Sequence, residues 1–140
     1  MVKLVEIPID PASVYNSICS SFSGSVVFHY AVVKKQAASD KSTSSIEYRA
    51  QGNTMLELEN IAGEIERGWN LEDVLLIRRT GSLDVGEIIS LVAASSPNSE
   101  DAFEACCFGI SRLKKMSTIT KTEKYADITC KNGGPDETIK

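Results

Sequence analysis

Histidine occurs once in this 140-residue chain, at His29, and cysteine four times, at Cys19, Cys106, Cys107 and Cys130. No two cysteines form a C-x-x-C pair, and the adjacent Cys106 and Cys107 would fall on different faces of a helix. A zinc set therefore lacks ligands, and the thiols read as free and reduced. A single histidine also leaves little room for a Ser-His-Asp arrangement. The chain has no P-loop, no G-x-G-x-x-G, G-x-S-x-G or H-E-x-x-H motif and no EF-hand loop. It lacks a run of about 18 apolar residues and a charged-then-apolar leader, which predicts a soluble cytoplasmic protein with no membrane partner. Basic residues are scattered rather than clustered and the net charge is −4. Nucleic acid is not expected as a partner, although a local basic pocket for a small anion remains open.

What is present suits one α+β domain, with 42% hydrophobic residues to build a core. Residues 2–7 alternate as a first strand. Asp10 and Pro11 open a helix whose stripe is Val14, Ile18 and Phe22, with Gly24 as its stop. Residues 25–35 alternate as a strand, Val26, Phe28, Tyr30 and Val32 on one side and Val27, His29, Ala31 and Val33 on the other. Residues 34–45 are polar and read as a loop, and residues 46–50 resume a strand. Thr54 and Glu57 have the form of a capping box, ahead of a helix carrying Leu58, Ile61, Ala62 and Ile65 and ended by Gly68. Residues 74–77 are uniformly apolar, as in a strand covered on both faces. Residues 126–140 read as a polar, flexible tail behind a single domain at 1–125.

The most specific stretch is 77–123. It holds a turn centred on Gly81, an apolar strand at 88–94 and a loop. A helix follows, with Phe103, Cys106, Ile110 and Leu113 as its buried face, and Lys114 and Lys121 stand seven residues apart near its end. Ammonium groups held close together repel, which favours a neutral amine on one of them. The pair can equally hold phosphate or carboxylate as point charges. Lysines in a last helical turn also suit the helix dipole with no chemistry at all. His29 in mid-strand reads as a structural side chain more readily than as a base or ligand. On residues alone the reading stops at an α+β domain with an anion site.

The same stretch resembles the MoaE family, the large catalytic subunit of molybdopterin synthase. Ile77, Arg79, Gly81, Leu83, Gly86 and Glu87 fit the pattern I-H-R-x-G-x-L-x-x-G-E. Ala102-Phe103-Glu104-Ala105 fits A-F-x-A, Leu113-Lys114 fits L-K, and Lys121 with Glu123 fits K-x-E. Upstream, residues 46–50 look like L-x-Y-x-A-Y, followed by Met55 and a helix. The resemblance implies an α/β-hammerhead fold, with a mostly antiparallel sheet and three helices. It also implies a homodimer carrying a small ubiquitin-like sulfur-carrier subunit (MoaD-like) at each end. The implied activity moves sulfur from the carrier's thiocarboxylated end to cyclic pyranopterin monophosphate, forming the molybdopterin dithiolene, with no metal or other cofactor. Carried over by position, Lys114 and Lys121 are the catalytic residues, and Arg79, Asn98, Ser99 and Lys34 are expected to bind substrate.

Several family positions differ. An H-R pair falls on Asn98-Ser99, the histidine of the first block on Arg78, an arginine on Val33, and P-x-W on Thr118-Ile119-Thr120. Lys34 stands one residue beyond the missing arginine, although strand alternation aims it at the opposite face. The lost cations leave open a second reading, a non-catalytic MoaE-like homologue that acts as a binding or regulatory module.

Overall fold

The computed structural model describes residues 1–35, 37–38 and 41–127, so Cys130 and most of the expected tail lie outside the described residues. The elements run β1 (Val2–Val5), α1 (Pro11–Tyr15), β2 (Ser25–Val32), β3 (Ala37–Ala38), β4 (Lys41–Ala50), α2 (Thr54–Gly68), β5 (Asp73–Arg79), β6 (Gly81–Asp84), β7 (Ile88–Ser96), α3 (Ser99–Lys114) and β8 (Ile119–Asp127). Two sheets form, the first in the order β1-β5-β7-β2 and the second β3-β4-β6, with β8 added to β4. Among the described residues, only the β1–β5 pair is parallel.

The two most apolar strands, β5 and β7, occupy the middle of the first sheet, where both faces are covered. On one face α2 and α3 set Leu58, Ile61, Ile65, Cys106 and Leu113 against Val74, Leu76, Val92 and Ala94. On the other, Val14 and Ile18 cover Leu75, Ile77, Leu91 and Ala93. Leu58, Ile61 and Ile65 are wholly buried, each contributing about 1.5–3 kcal/mol of apolar transfer. A separate cluster of Val33, Ile46, Tyr48 and Leu83 joins the second sheet to the end of the first. Gly81 opens β6 at φ 103, a left-handed backbone open to glycine at no steric cost.

Five local expectations are corrected. The helix α1 ends at Tyr15, and Phe22 lies beyond it at 84% exposure. The cap of α2 is Asn53, whose side chain accepts from the Leu56 amide. Glu57 instead reaches across to the 117–118 turn, accepting from both backbone amides and both hydroxyls. Within the expected 34–45 loop, β4 already begins at Lys41, and Ser42 and Thr43 are buried against β8 and its neighbours. The buried face of α3 is Ala102, Ala105, Cys106, Gly109 and Leu113, leaving Phe103 60% exposed. Small residues win that face because the helix lies close on the sheet. A Cβ added at Gly109 would stand 3.0 Å from Val92 Cγ1 and 3.3 Å from Ile65 Cδ1. Finally, residues 119–127 form a strand that sequence patterning left unassigned.

Candidate active site

A cleft of about 610 Å³ opens where α3 stops and the second sheet takes over its covering role. Its first wall follows from strand register. Ala31, Ser90 and Arg78 are successive partners across β2, β7 and β5, so all three project from the helix-covered face just beyond the end of α3. The facing wall is built the same way. Tyr48 opposes Lys121, and Ile46 opposes Glu123, on β4 and β8, so these four share one side. Lys114 enters from the last turn of α3, and Lys34 from just past β2.

The lining therefore holds four cations, Lys34, Arg78, Lys114 and Lys121, against one carboxylate, Glu123. That contrasts with the chain's overall charge of −4 and gives an acidic protein one locally positive concavity. The three lysines are exposed, whereas Arg78 is buried at 5% exposure. Its Nε donates to the Arg79 carbonyl and its Nη1 to the Leu113 carbonyl, each at 3.3 Å. The guanidinium lies 4.4 Å from the Tyr48 ring centroid, within the range of a cation–π contact. The Leu113 bond also satisfies a carbonyl of the last turn of α3, where positive charge is favoured.

Burial sets the protonation states. It lowers the Arg78 pKa below the ordinary guanidinium value, partly offset by Tyr48. Burial raises the Tyr48 hydroxyl, with Arg78 acting against it and Glu123 with it. His29, also in the cleft lining, is lowered by burial and then by the Lys114 charge, so it is a neutral imidazole at pH 7. Away from the cleft, burial and then Cys107 push the Cys106 thiol up to about 11, which makes it a packing residue rather than a nucleophile. Among the described residues, no group of three or more His, Cys, Asp or Glu is placed to hold a metal ion. No helix there is long and apolar enough to cross a membrane.

The cleft thus brings together Lys114, Lys121 and Lys34 from the sequence expectations. Lys34 lines it from two residues past the end of β2, beyond the paired alternation that would aim it away. Arg79 is not in the lining. As the neighbour of Arg78 it projects from the other sheet face and ion-pairs with Glu87 at 3.2 Å, its Nε buried without a partner. Asn98 and Ser99 stand at the opposite end of α3, roughly 24 Å of helix from Lys114. There Asn98 caps the helix, accepting from the Asp101 amide at 2.8 Å. Arg78, Tyr48 and Glu123 also line the cleft; the sequence matched Glu123 to K-x-E and set Arg78 on the family's histidine position, but named none of the three as a site residue. Alternation in 46–50 and 119–123 would have placed Tyr48 and Glu123 on the sides of Ile46 and Lys121.

This two-sheet architecture, with a basic cleft at the end of α3, defines a MoaE-type α+β domain. The chain belongs to the MoaE protein family, whose model matches residues 4–116. It is similar to the molybdopterin synthase catalytic subunit of Bacillus subtilis, 28% identical over 126 residues that cover 89% of this chain and 80% of that protein. Among solved structures, molybdopterin synthase from Staphylococcus aureus superposes with a TM-score of 0.81 at 28% identity, covering 89% of this chain and 90% of that one. The same fold, at 13% identity and a TM-score of 0.71, occurs in the complex of subunits 1 and 2 of molybdopterin-converting factor from Helicobacter pylori; that match covers 93% of this chain and 91% of the other.

Proposed function

We propose that this protein is the catalytic subunit of a molybdopterin synthase in molybdenum cofactor biosynthesis. It would transfer sulfur from the thiocarboxylated end of a small ubiquitin-like carrier to cyclic pyranopterin monophosphate, twice, to form the dithiolene. The observation that carries the reading is the convergence of Lys34, Lys114 and Lys121, with Arg78, on one cleft in a MoaE-family chain. Lys114 and Lys121 are the catalytic pair. Ammonium groups there stabilise negative charge developing on the carrier's terminal carbonyl and on the substrate. Lys34 holds substrate anion at the rim. The complex formed by the Helicobacter relative supports the carrier as partner, and free thiols suit a cytoplasmic setting.

The proposal includes a homodimer. The strand β2 is the open edge of its sheet and exposes Val26, Tyr30 and Val32, a surface suited to antiparallel pairing with a second copy. Such pairing lays the Ser25 end of one β2 against the Val32 end of the other. Because Ser25 pairs with Ser96, the partner's Asn98 and Ser99 would then approach this chain's cleft. Those two residues, remote from the cleft within one chain, are proposed to contact substrate only in this way. Arg79 is assigned no substrate contact, since it is engaged with Glu87.

The test is direct. Purified protein is mixed with thiocarboxylated carrier and cyclic pyranopterin monophosphate, and molybdopterin is read as its fluorescent oxidised derivative. Product above the no-enzyme control is expected. Tight carrier binding without product would select the non-catalytic reading, which the replacement of the H-R pair by Asn98-Ser99 and of an arginine by Val33 favours.

A further inference from the structure

We propose that Arg78 is the oxyanion-gripping residue of the cleft, a positioning charge at its floor that the exposed lysines at its rim cannot supply. The inference rests on the reading of this cleft as the active site and deepens it. Its first support is an unmatched charge. Among the described residues, the ion pairs join Arg49 to Glu47, Arg79 to Glu87 and Arg112 to Glu64, and none involves Arg78. Glu123, the one carboxylate in the lining, accepts from the Thr43 hydroxyl. A guanidinium at 5% exposure with no carboxylate paired to it among the described residues is a desolvated cation awaiting an anion.

The second support is rigidity. Two N–H groups are fixed on the Arg79 and Leu113 carbonyls and the plane is fixed against Tyr48. The fork is thereby oriented before any ligand arrives, so little side-chain entropy is lost on binding. Lys34, Lys114 and Lys121 are exposed and supply attraction without that fixed geometry. The ligand chemistry is a phosphate or carboxylate oxyanion, which a planar guanidinium meets with parallel N–H donors.

The test needs neither carrier nor pterin. Protein labelled with ¹⁵N-arginine is titrated with inorganic phosphate and, separately, with N-acetyl-glycylglycine, whose free carboxylate mimics a carrier tail. Saturable movement of the Arg78 guanidinium Nη resonances is expected, since Nε–H is held by the Arg79 carbonyl, and a role confined to holding Leu113 and Tyr48 would not move them. Tighter phosphate binding assigns the contact to the substrate ester, and tighter peptide binding assigns it to the carrier end. An Arg78 resonance that stays still while either anion binds elsewhere overturns the proposal.

Arg78→Gln, whose amide nitrogen stands at the level of Nε and keeps a donor for the Arg79 carbonyl but no charge, should weaken the preferred anion about tenfold or more. Arg78→Lys should recover part of that loss. Wild-type affinity in a folded Arg78→Gln protein would also overturn the proposal, and the wild-type titration decides the matter if that variant does not fold. Anion binding through Arg78 in a protein that makes no molybdopterin would leave this inference standing while the synthase reading fell.

Discussion

The two lysines that the sequence singles out and the arginine that it does not differ in how their side chains are placed. Lys114 and Lys121 are exposed, so replacing either with alanine should leave the melting temperature nearly unchanged. Turnover in the synthase assay should fall by about 10²-fold or more, as when a transition-state charge partner is removed. Full activity in either variant would remove that lysine from the mechanism. His29 supplies a pH signature. Its folded-state pKa lies below the ordinary 6.5, because of burial and then Lys114. Its contribution to stability is therefore complete above that value and is lost as pH falls through the lowered one. Denaturant titrations at pH 7.5 and 5 should show wild type losing more stability than His29→Gln. Equal losses would mean that the imidazole is solvated in the folded state. The lysines were legible because motif spacing survives in a linear text. The orientations of Arg78 and Tyr48 depend on which strands become neighbours, and nothing local states that.

At the level of elements, two contacts hold the cleft's walls in register. The carboxylate of Glu57, in the first turn of α2, receives the Ser117 and Thr118 amides and hydroxyls and so fixes the turn that delivers β8 and Lys121. Burial opposes its ionisation, but the hydrogen bonds from Thr118 and Ser117 outweigh it, so its pKa lies below the ordinary 4.5. Its stabilisation is present above that value and is lost as pH falls through the lowered one. Glu57→Gln should cost about 1 kcal/mol in urea denaturation and flatten this acid limb. A variant as stable as wild type at pH 7 would show that the turn holds without the charge. Gly109 is the second contact. Alanine there gains about 1 kcal/mol of helix propensity, but its methyl meets Val92 and Ile65 at 3.0 and 3.3 Å, and overpacking of that kind costs about 1–3 kcal/mol. A net loss of stability is expected, and a higher melting temperature would mean that α3 can lift from the sheet. Helical periodicity in 99–114 was readable, but its rotation was not. Phe103 was expected inside on hydrophobicity, yet close approach of the helix to β7 selects Ala102, Ala105 and Gly109.

For the whole molecule, the open edge of β2 decides the expected assembly. Val26, Tyr30 and Val32 are exposed on a strand that is the edge of its sheet among the described residues, an arrangement that favours pairing with another strand. Light scattering on a sizing column should give twice the chain mass for wild type and a monomer for Val32→Lys. An unchanged mass for the variant would locate the contact elsewhere. If the dimer brings the partner's Asn98 and Ser99 to the cleft, the monomeric variant should also lose turnover while its own lysines remain intact.

The sequence by itself determined the class of fold, the two central strands and the helices' existence, because apolar runs and 3.6-residue spacing are local properties. Its motif spacing also carried the family and the two lysines. The tertiary structure alone decided what surrounds them. Sheet pairing turned the 41–50 and 119–127 segments into a facing wall, and the end of β2 at Val32 left Lys34 beside the cleft. Adjacency in β5 separated Arg78, inside the cleft, from Arg79, on the other face. Each of these depends on contacts between residues far apart in the chain, where a shift of one position reverses the side a residue faces.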